Sequence, residues 1–90
     1  MNETVQIWLD DLLETTGKVT LEELTADEIR AEIEEVEGTI SNERLWELGY
    51  DGEEPLNPHT DNIMILMEYL DVLNGMLADK EVRSWINKKH

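Results

Sequence analysis

The chain contains no cysteine in 90 residues, which removes disulfides and thiolate metal sites from consideration and suits a reducing compartment. It also lacks a long apolar run. The longest, Ile63 to Met67, falls far short of the roughly 20 residues that span a bilayer, so no membrane partner is expected. Met1-Asn2-Glu3 opens the chain without a basic stretch and apolar core, so a secretory signal is not expected either. These absences lead to a cytoplasmic location. Basic residues are scarce over most of the length. Residues 1–79 carry 21 acids against Lys18, Arg30 and Arg44, a net of −18, whereas residues 80–90 carry +3 from Lys80, Arg83, Lys88 and Lys89 against Glu81. An acidic body of this kind is repelled by phosphate backbones and anionic lipid, which argues against direct nucleic-acid binding. The natural counterpart is a basic protein surface.

What is present reads as helix throughout. Apolar content of 40% with three tryptophans calls for a packed core, and 90 residues make one domain, 1–90. Val5, Trp8, Leu9, Leu12 and Leu13 recur at three- and four-residue spacing, which predicts a helix over 3–15, capped by Asn2 and followed by Gly17. Thr20-Leu21-Glu22-Glu23 has the form of a capping box that opens a single turn, Leu21 to Leu24. Thr25-Ala26-Asp27-Glu28 repeats it and starts a second helix over 26–48, with Ile29, Ile33, Val36 and Ile40 on one stripe and Gly49 as a left-handed terminator. After Gly38 the apolar phase changes, since Leu45, Trp46 and Leu48 leave the stripe.

A loop rich in turn formers, residues 49–56, precedes Asn57-Pro58, a cap and first-turn proline for a third helix over 58–78. That helix carries two apolar ladders, 63-66-70-73-77 and 65-69-72-76, so it should be the central one, covered on most sides. Val82, Trp85 and Ile86 mark a short C-terminal helix that folds back over it. The expected fold is therefore an all-α bundle of three main helices plus a short C-terminal one. The methionines Met64, Met67 and Met76 and the tryptophans Trp8, Trp46 and Trp85 read as core. Because so short a chain offers limited cover for 63–77, a homodimer through Ile63, Leu66, Met67, Leu70 and Leu73 is one way to bury that face.

Two patterns bear on chemistry. Gly17 to Glu23 has the outline of the second half of an EF-hand loop, but its register puts Leu12, which supplies no oxygen, at the first ligand position. A capped helix start explains the same residues. Glu32-x-x-Glu35 and Glu68-x-x-Asp71 each set two carboxylates on one helix face, and such pairs on neighbouring helices can hold magnesium against a nucleotide. The pattern resembles the all-α nucleotide pyrophosphatases of the MazG type. That resemblance implies a magnesium-dependent nucleotide hydrolase or nucleotide-binding protein as an alternative, with Glu32, Glu35, Glu68 and Asp71 as the metal ligands. The gap between the pairs is longer than in that family, and no base stands nearby to grip phosphate. His59 and His90 lack a nucleophile partner, and no E-x-x-H is present. No catalytic residue or cofactor is assigned, and the chain is read as non-enzymatic.

The charge itself is the stronger candidate for function. A compact chain of this length has a radius of gyration of about 12 Å and a diameter of about 30 Å, over which duplex DNA carries about 18 charges. Asp27, Glu28, Glu32, Glu34, Glu35 and Glu43 on the second helix are the expected contact surface, acting as phosphate surrogates toward a basic, nucleic-acid-handling protein. The competing reading is an acidic face kept for solubility, and a third is a homo-oligomeric scaffold. In the basic tail, Lys80, Arg83, Lys88 and Lys89 are expected to complement helix C-termini and nearby acids.

The run Glu37-Gly38-Thr39-Ile40-Ser41-Asn42-Glu43-Arg44-Leu45-Trp46-Glu47-Leu48-Gly49, followed by Asn57-Pro58-His59-Thr60-Asp61-Asn62-Ile63, resembles small acidic helical proteins of phages and prophages of Gram-positive bacteria, over residues 28–73. The resemblance implies a context, antagonism of host defence or host nucleic-acid machinery, including inhibition of RNA-guided nucleases. It transfers no residue roles.

Overall fold

A computed structural model describes residues 2–49 and 58–88. Three helices and one short 3-10 turn make up these residues: α1 (Glu3–Thr16), the turn Leu21–Glu23, α2 (Ala26–Leu48) and α3 (Pro58–Lys88). No strand occurs among the described residues, so the architecture is all-α.

Local chemistry accounts for the first two helices. The Asn2 side chain accepts the Thr4 N–H at 2.8 Å, and α1 ends on Gly17 at φ 73°, the left-handed conformation that glycine adopts without strain. Its N–H and that of Lys18 return to the carbonyls of Glu14 and Leu13. At α2 the capping box is complete: Glu28 N–H donates to Thr25 Oγ1 at 3.1 Å, and Thr25 N–H donates to Glu28 Oε1 at 2.8 Å. Such a cap contributes about 1 kcal/mol. That backbone donor, with help from Lys18, holds the Glu28 carboxyl below the usual carboxylate range despite a smaller opposing effect of desolvation. Helix α2 runs unbroken through Gly38. Its C-cap, Gly49, has φ −94°, so the left-handed terminator expected there is not formed. The loop expected over residues 49–56 lies, beyond Gly49, outside the described residues, as does the cap assigned to Asn57.

Two expectations for the last helix are corrected. Helix α3 does not stop at 78; it continues to Lys88, and Val82, Trp85 and Ile86 ride on its last turns rather than on a helix folded back. Polar contacts explain the continuation. Asp79 pairs with Arg83 at 3.2 Å one turn on, Glu81 takes Arg30 of α2 at 2.9 Å, and Lys80 Nζ donates to the Glu22 carbonyl at 2.9 Å. Two of the tail's bases thus serve the fold. Together with Glu43–His59 at the other end, these contacts set α2 and α3 antiparallel. Helix α1 packs across α3, with Trp8 against Tyr69 at a ring separation of 5.4 Å.

The molecule is longer than the compact body expected from its length: it measures 60 × 24 × 20 Å with a radius of gyration of 15.9 Å. An unbroken helix of 31 residues alone spans about 46 Å. Its core is correspondingly narrow. Val5, Leu9 and Leu12 of α1, Leu24, the α2 stripe Ile29, Ile33, Val36 and Ile40, and Ile63, Leu66, Tyr69 and Leu73 of α3 form it. The residues assigned to a dimer interface are largely committed here. Ile63, Leu66 and Leu73 are buried within the chain, Leu70 packs against the core half-buried, and Met67 is exposed.

The expected core set also needs correction. Trp46, Trp85, Met64 and Met67 are exposed, whereas Trp8 and Met76 are half-buried against the core. Trp46 has a clear cause. Helix α2 keeps its phase past Ile40, so the inward positions of its last turns fall to Glu43 and Glu47. These meet the first turn of α3, where Glu43 Oε2 lies 2.6 Å from His59 Nδ1 and Thr60 donates to Glu47. The out-of-phase residues Leu45, Trp46 and Leu48 are left facing water, with the Trp46 ring stacked near that of His59.

Candidate functional site

The six carboxylates expected to form a binding face do not share one environment. Asp27 pairs with Arg30 at 3.0 Å. Glu28 belongs to the capping box and lies 3.9 Å from Lys18. Glu43 is half-buried against His59. The structure thus employs three of the six in holding its own helices. The other three, Glu32, Glu34 and Glu35, have no cationic partner among the described residues. Glu34 and Glu35 are exposed and Glu32 is half-buried.

Glu32 and Glu35 line a cleft of about 410 Å3 whose walls are α1 and α2 and whose floor is α3. From α1 come Trp8, Asp11, Leu12 and Thr15. From α2 come Glu32, Glu35, Val36 and Thr39, and from α3 Leu66 and Tyr69. Both walls use the same helical spacing, 8-11-12-15 and 32-35-36-39, which sets four side chains on one face over two turns. The cleft exists because α1 packs mainly on α3, leaving the space between α1 and α2 unfilled above Tyr69.

The Tyr69 residue is only 3% exposed, yet its hydroxyl has no hydrogen-bond partner among the described residues and is not sealed from solvent. Burial pushes this hydroxyl well above the usual tyrosine range, and the charges of Glu32, Glu35 and Asp11 push it further. All four residues line the same cleft. Glu32 is likewise raised above the usual carboxylate range, first by its burial and then by the neighbouring Glu35.

This perturbation has a measurable consequence. The folded protein holds the Glu32 proton more tightly than the unfolded chain does, so the ionised side chain costs stability at neutral pH. That cost disappears as pH falls through the raised folded-state value. Glu32→Gln is accordingly expected to stabilise the protein at pH 7 by up to about 1 kcal/mol, discounted for partial exposure. The gain should vanish once acidification protonates the wild-type side chain. Urea denaturation at pH 7 and pH 4 checks both halves; a variant less stable at pH 7 would show the carboxylate to be favourably placed.

The four carboxylates of the magnesium alternative are not gathered. Glu32 and Glu35 line the cleft with Asp11, whereas Glu68 and Asp71, both exposed, do not line it. Among the described residues no group of three or more His, Cys, Asp or Glu side chains is placed to hold a metal ion. No described helix is long and apolar enough to cross a membrane.

Sequence reasoning missed Trp8, Asp11 and Tyr69 as site residues. The signal was the repeated spacing, with an acid three residues before or after another polar or aromatic group and a threonine seven on. On a single helix this is indistinguishable from an ordinary core boundary. Comparison with protein-family models, curated proteins and solved structures returned no match.

Proposed function

We propose that this chain is a non-enzymatic binding protein whose partner is a basic protein surface, one that itself handles nucleic acid. The setting implied by the sequence resemblance is inhibition by a phage-encoded protein. The observation that carries the reading is the uncompensated group Glu32, Glu34 and Glu35, joined by Asp11 across the cleft, on a chain of net charge −15. Charges with an internal cation serve the fold; these lack one.

The shape limits what is mimicked. Over 60 Å a DNA duplex carries about 35 charges, more than twice the magnitude of this chain's net charge of −15. A local acidic patch toward a basic partner therefore fits better than a replica of a whole duplex. Binding driven in this way weakens steeply with salt.

The test is capture from bacterial lysate at about 50 and 300 mM salt, with wild type and Glu34→Lys/Glu35→Lys compared. The expected result is a basic protein released by salt and by added duplex DNA, and held at least tenfold less well by the double variant. Capture indifferent to salt and to the substitutions counts against this reading.

A second reading, a self-associating scaffold, is favoured by the apolar side chains the fold leaves in water. Leu45, Trp46 and Leu48 on α2 and Met64 and Met67 on α3 are all exposed. Mass by light scattering separates the two: a monomer of 10.5 kDa at micromolar concentration removes the scaffold.

A further inference from the structure

We propose that the cleft between α1 and α2 is a receptor for the guanidinium group of an arginine side chain presented by a partner protein. The inference rests on the proposed basic partner only for the origin of that arginine; the chemistry of the cleft stands by itself.

The walls offer acceptors and few donors. Asp11, Glu32 and Glu35 supply carboxylates. The Thr39 hydroxyl already donates to the Glu35 carbonyl at 3.0 Å, which leaves it its lone pairs. Tyr69, almost wholly buried, brings a hydroxyl with no partner among the described residues. A ligand rich in donors and without acceptors is the complement, and guanidinium has five N–H donors and no acceptor.

The aromatic pair narrows the choice. Trp8, half-buried, lines the cleft beside Tyr69, so a flat cation entering it meets aromatic surface, mainly that of the Trp8 ring, as well as carboxylate. Guanidinium is planar, weakly hydrated and stacks on such rings while forking onto carboxylates. An ammonium is more strongly hydrated and gains less. A hard metal ion wants several oxygens at short, fixed distances, and no group of three ligating side chains is so placed among the described residues. A volume of about 410 Å3 lies in the range of small-ligand clefts, with space for one side chain and its water. Among the described residues no base lines the cleft.

The test is a titration of the full chain, followed by two-dimensional NMR at about 150 mM salt to screen general attraction to the acidic body. The probes are blocked tripeptides Gly-Arg-Gly, Gly-Lys-Gly and Gly-citrulline-Gly. The arginine peptide is expected to shift the Trp8 indole N–H and the amides of Thr15, Val36 and Thr39. It should saturate with Kd of about 1–10 mM, as suits one side chain. The lysine peptide should bind at least threefold more weakly, and the uncharged citrulline peptide should leave these signals in place. Glu32→Gln should weaken the arginine peptide about fivefold or more while leaving the fold as stable as wild type or more so, a combination that a structural role for Glu32 does not produce. Tyr69→Phe keeps the ring and should cost about twofold to threefold.

Agmatine separates the source of the guanidinium. Binding tenfold tighter than the blocked peptide would give the cleft to a free cationic metabolite and overturn a protein side chain as occupant. Shifts spread over all acidic segments, or an equal response to citrulline, would also overturn the proposal. Failure of the titration with salt-dependent capture intact removes the cleft and leaves the basic partner standing.

Discussion

Leu73→Ala is expected to lower the unfolding free energy by about 3–4 kcal/mol, the cost of removing a fully enclosed leucine and leaving part of its volume empty. Leu73 is completely buried at the middle of α3, within a cluster that also holds Val5, Leu9 and Ile29. Chains of this size are stable by about 4–13 kcal/mol in all, and a narrow core in a molecule 60 Å long puts this one toward the lower limit. The variant should therefore melt roughly 15–25 °C below wild type, or be partly unfolded at 25 °C. Leu45→Ala is the control. Its leucine is 68% exposed, and the expected loss is within about 0.5 kcal/mol. Thermal and urea denaturation of both variants reads the contrast. Equal losses would mean that the buried stripe of α3 is assigned to the wrong residues.

Ala78→Pro is expected to cost about 3 kcal/mol or more, or to unravel α3 beyond that point. Proline lacks the N–H that bonds the carbonyl four residues back, and its ring clashes with that carbonyl, here Asn74. The position is chosen because two chain paths give opposite answers. In a helix that ended at 78 and turned back, a proline at the turn would be tolerated within about 1 kcal/mol. In the unbroken α3 (Pro58–Lys88), Ala78 is interior, and the contacts of Lys80 with Glu22 and of Glu81 with Arg30 depend on continuity through it. Circular dichroism should show lost helix with a lower urea midpoint. Unchanged helicity and midpoint would restore the turn.

Particular residues show why some of this was legible and some not. The start of α2 (Ala26–Leu48) follows from Thr25 and Glu28, contacts within a few residues, and its end falls just before Gly49 although that glycine does not take the left-handed conformation. The buried stripe of α2 likewise follows from spacing alone. After Gly38 the pattern became ambiguous, because Leu45, Trp46 and Leu48 leave the stripe. The resolution lay in His59 and Thr60, which reach Glu43 and Glu47 from another helix. The end of α3 was misplaced for a related reason. The polar stretch Ala78 to Glu81 looks like an ending, yet Arg30, Glu22 and Arg83 hold it as helix. Of the candidate site, Glu32 and Glu35 were visible as a pair. That Asp11, Trp8 and Tyr69 join them was not, since these come from two other helices, α1 and α3.

Helical character, two of the three long helices with their caps, and most of the core stripes are properties of neighbouring residues, so the order of amino acids alone determines them. Which acids remain unpaired, which tryptophans face water, and whether α1 and α2 leave a space above Tyr69 were decided only by tertiary structure. Those outcomes turn on the register between distant segments, and no spacing within one helix encodes how far it slides along another.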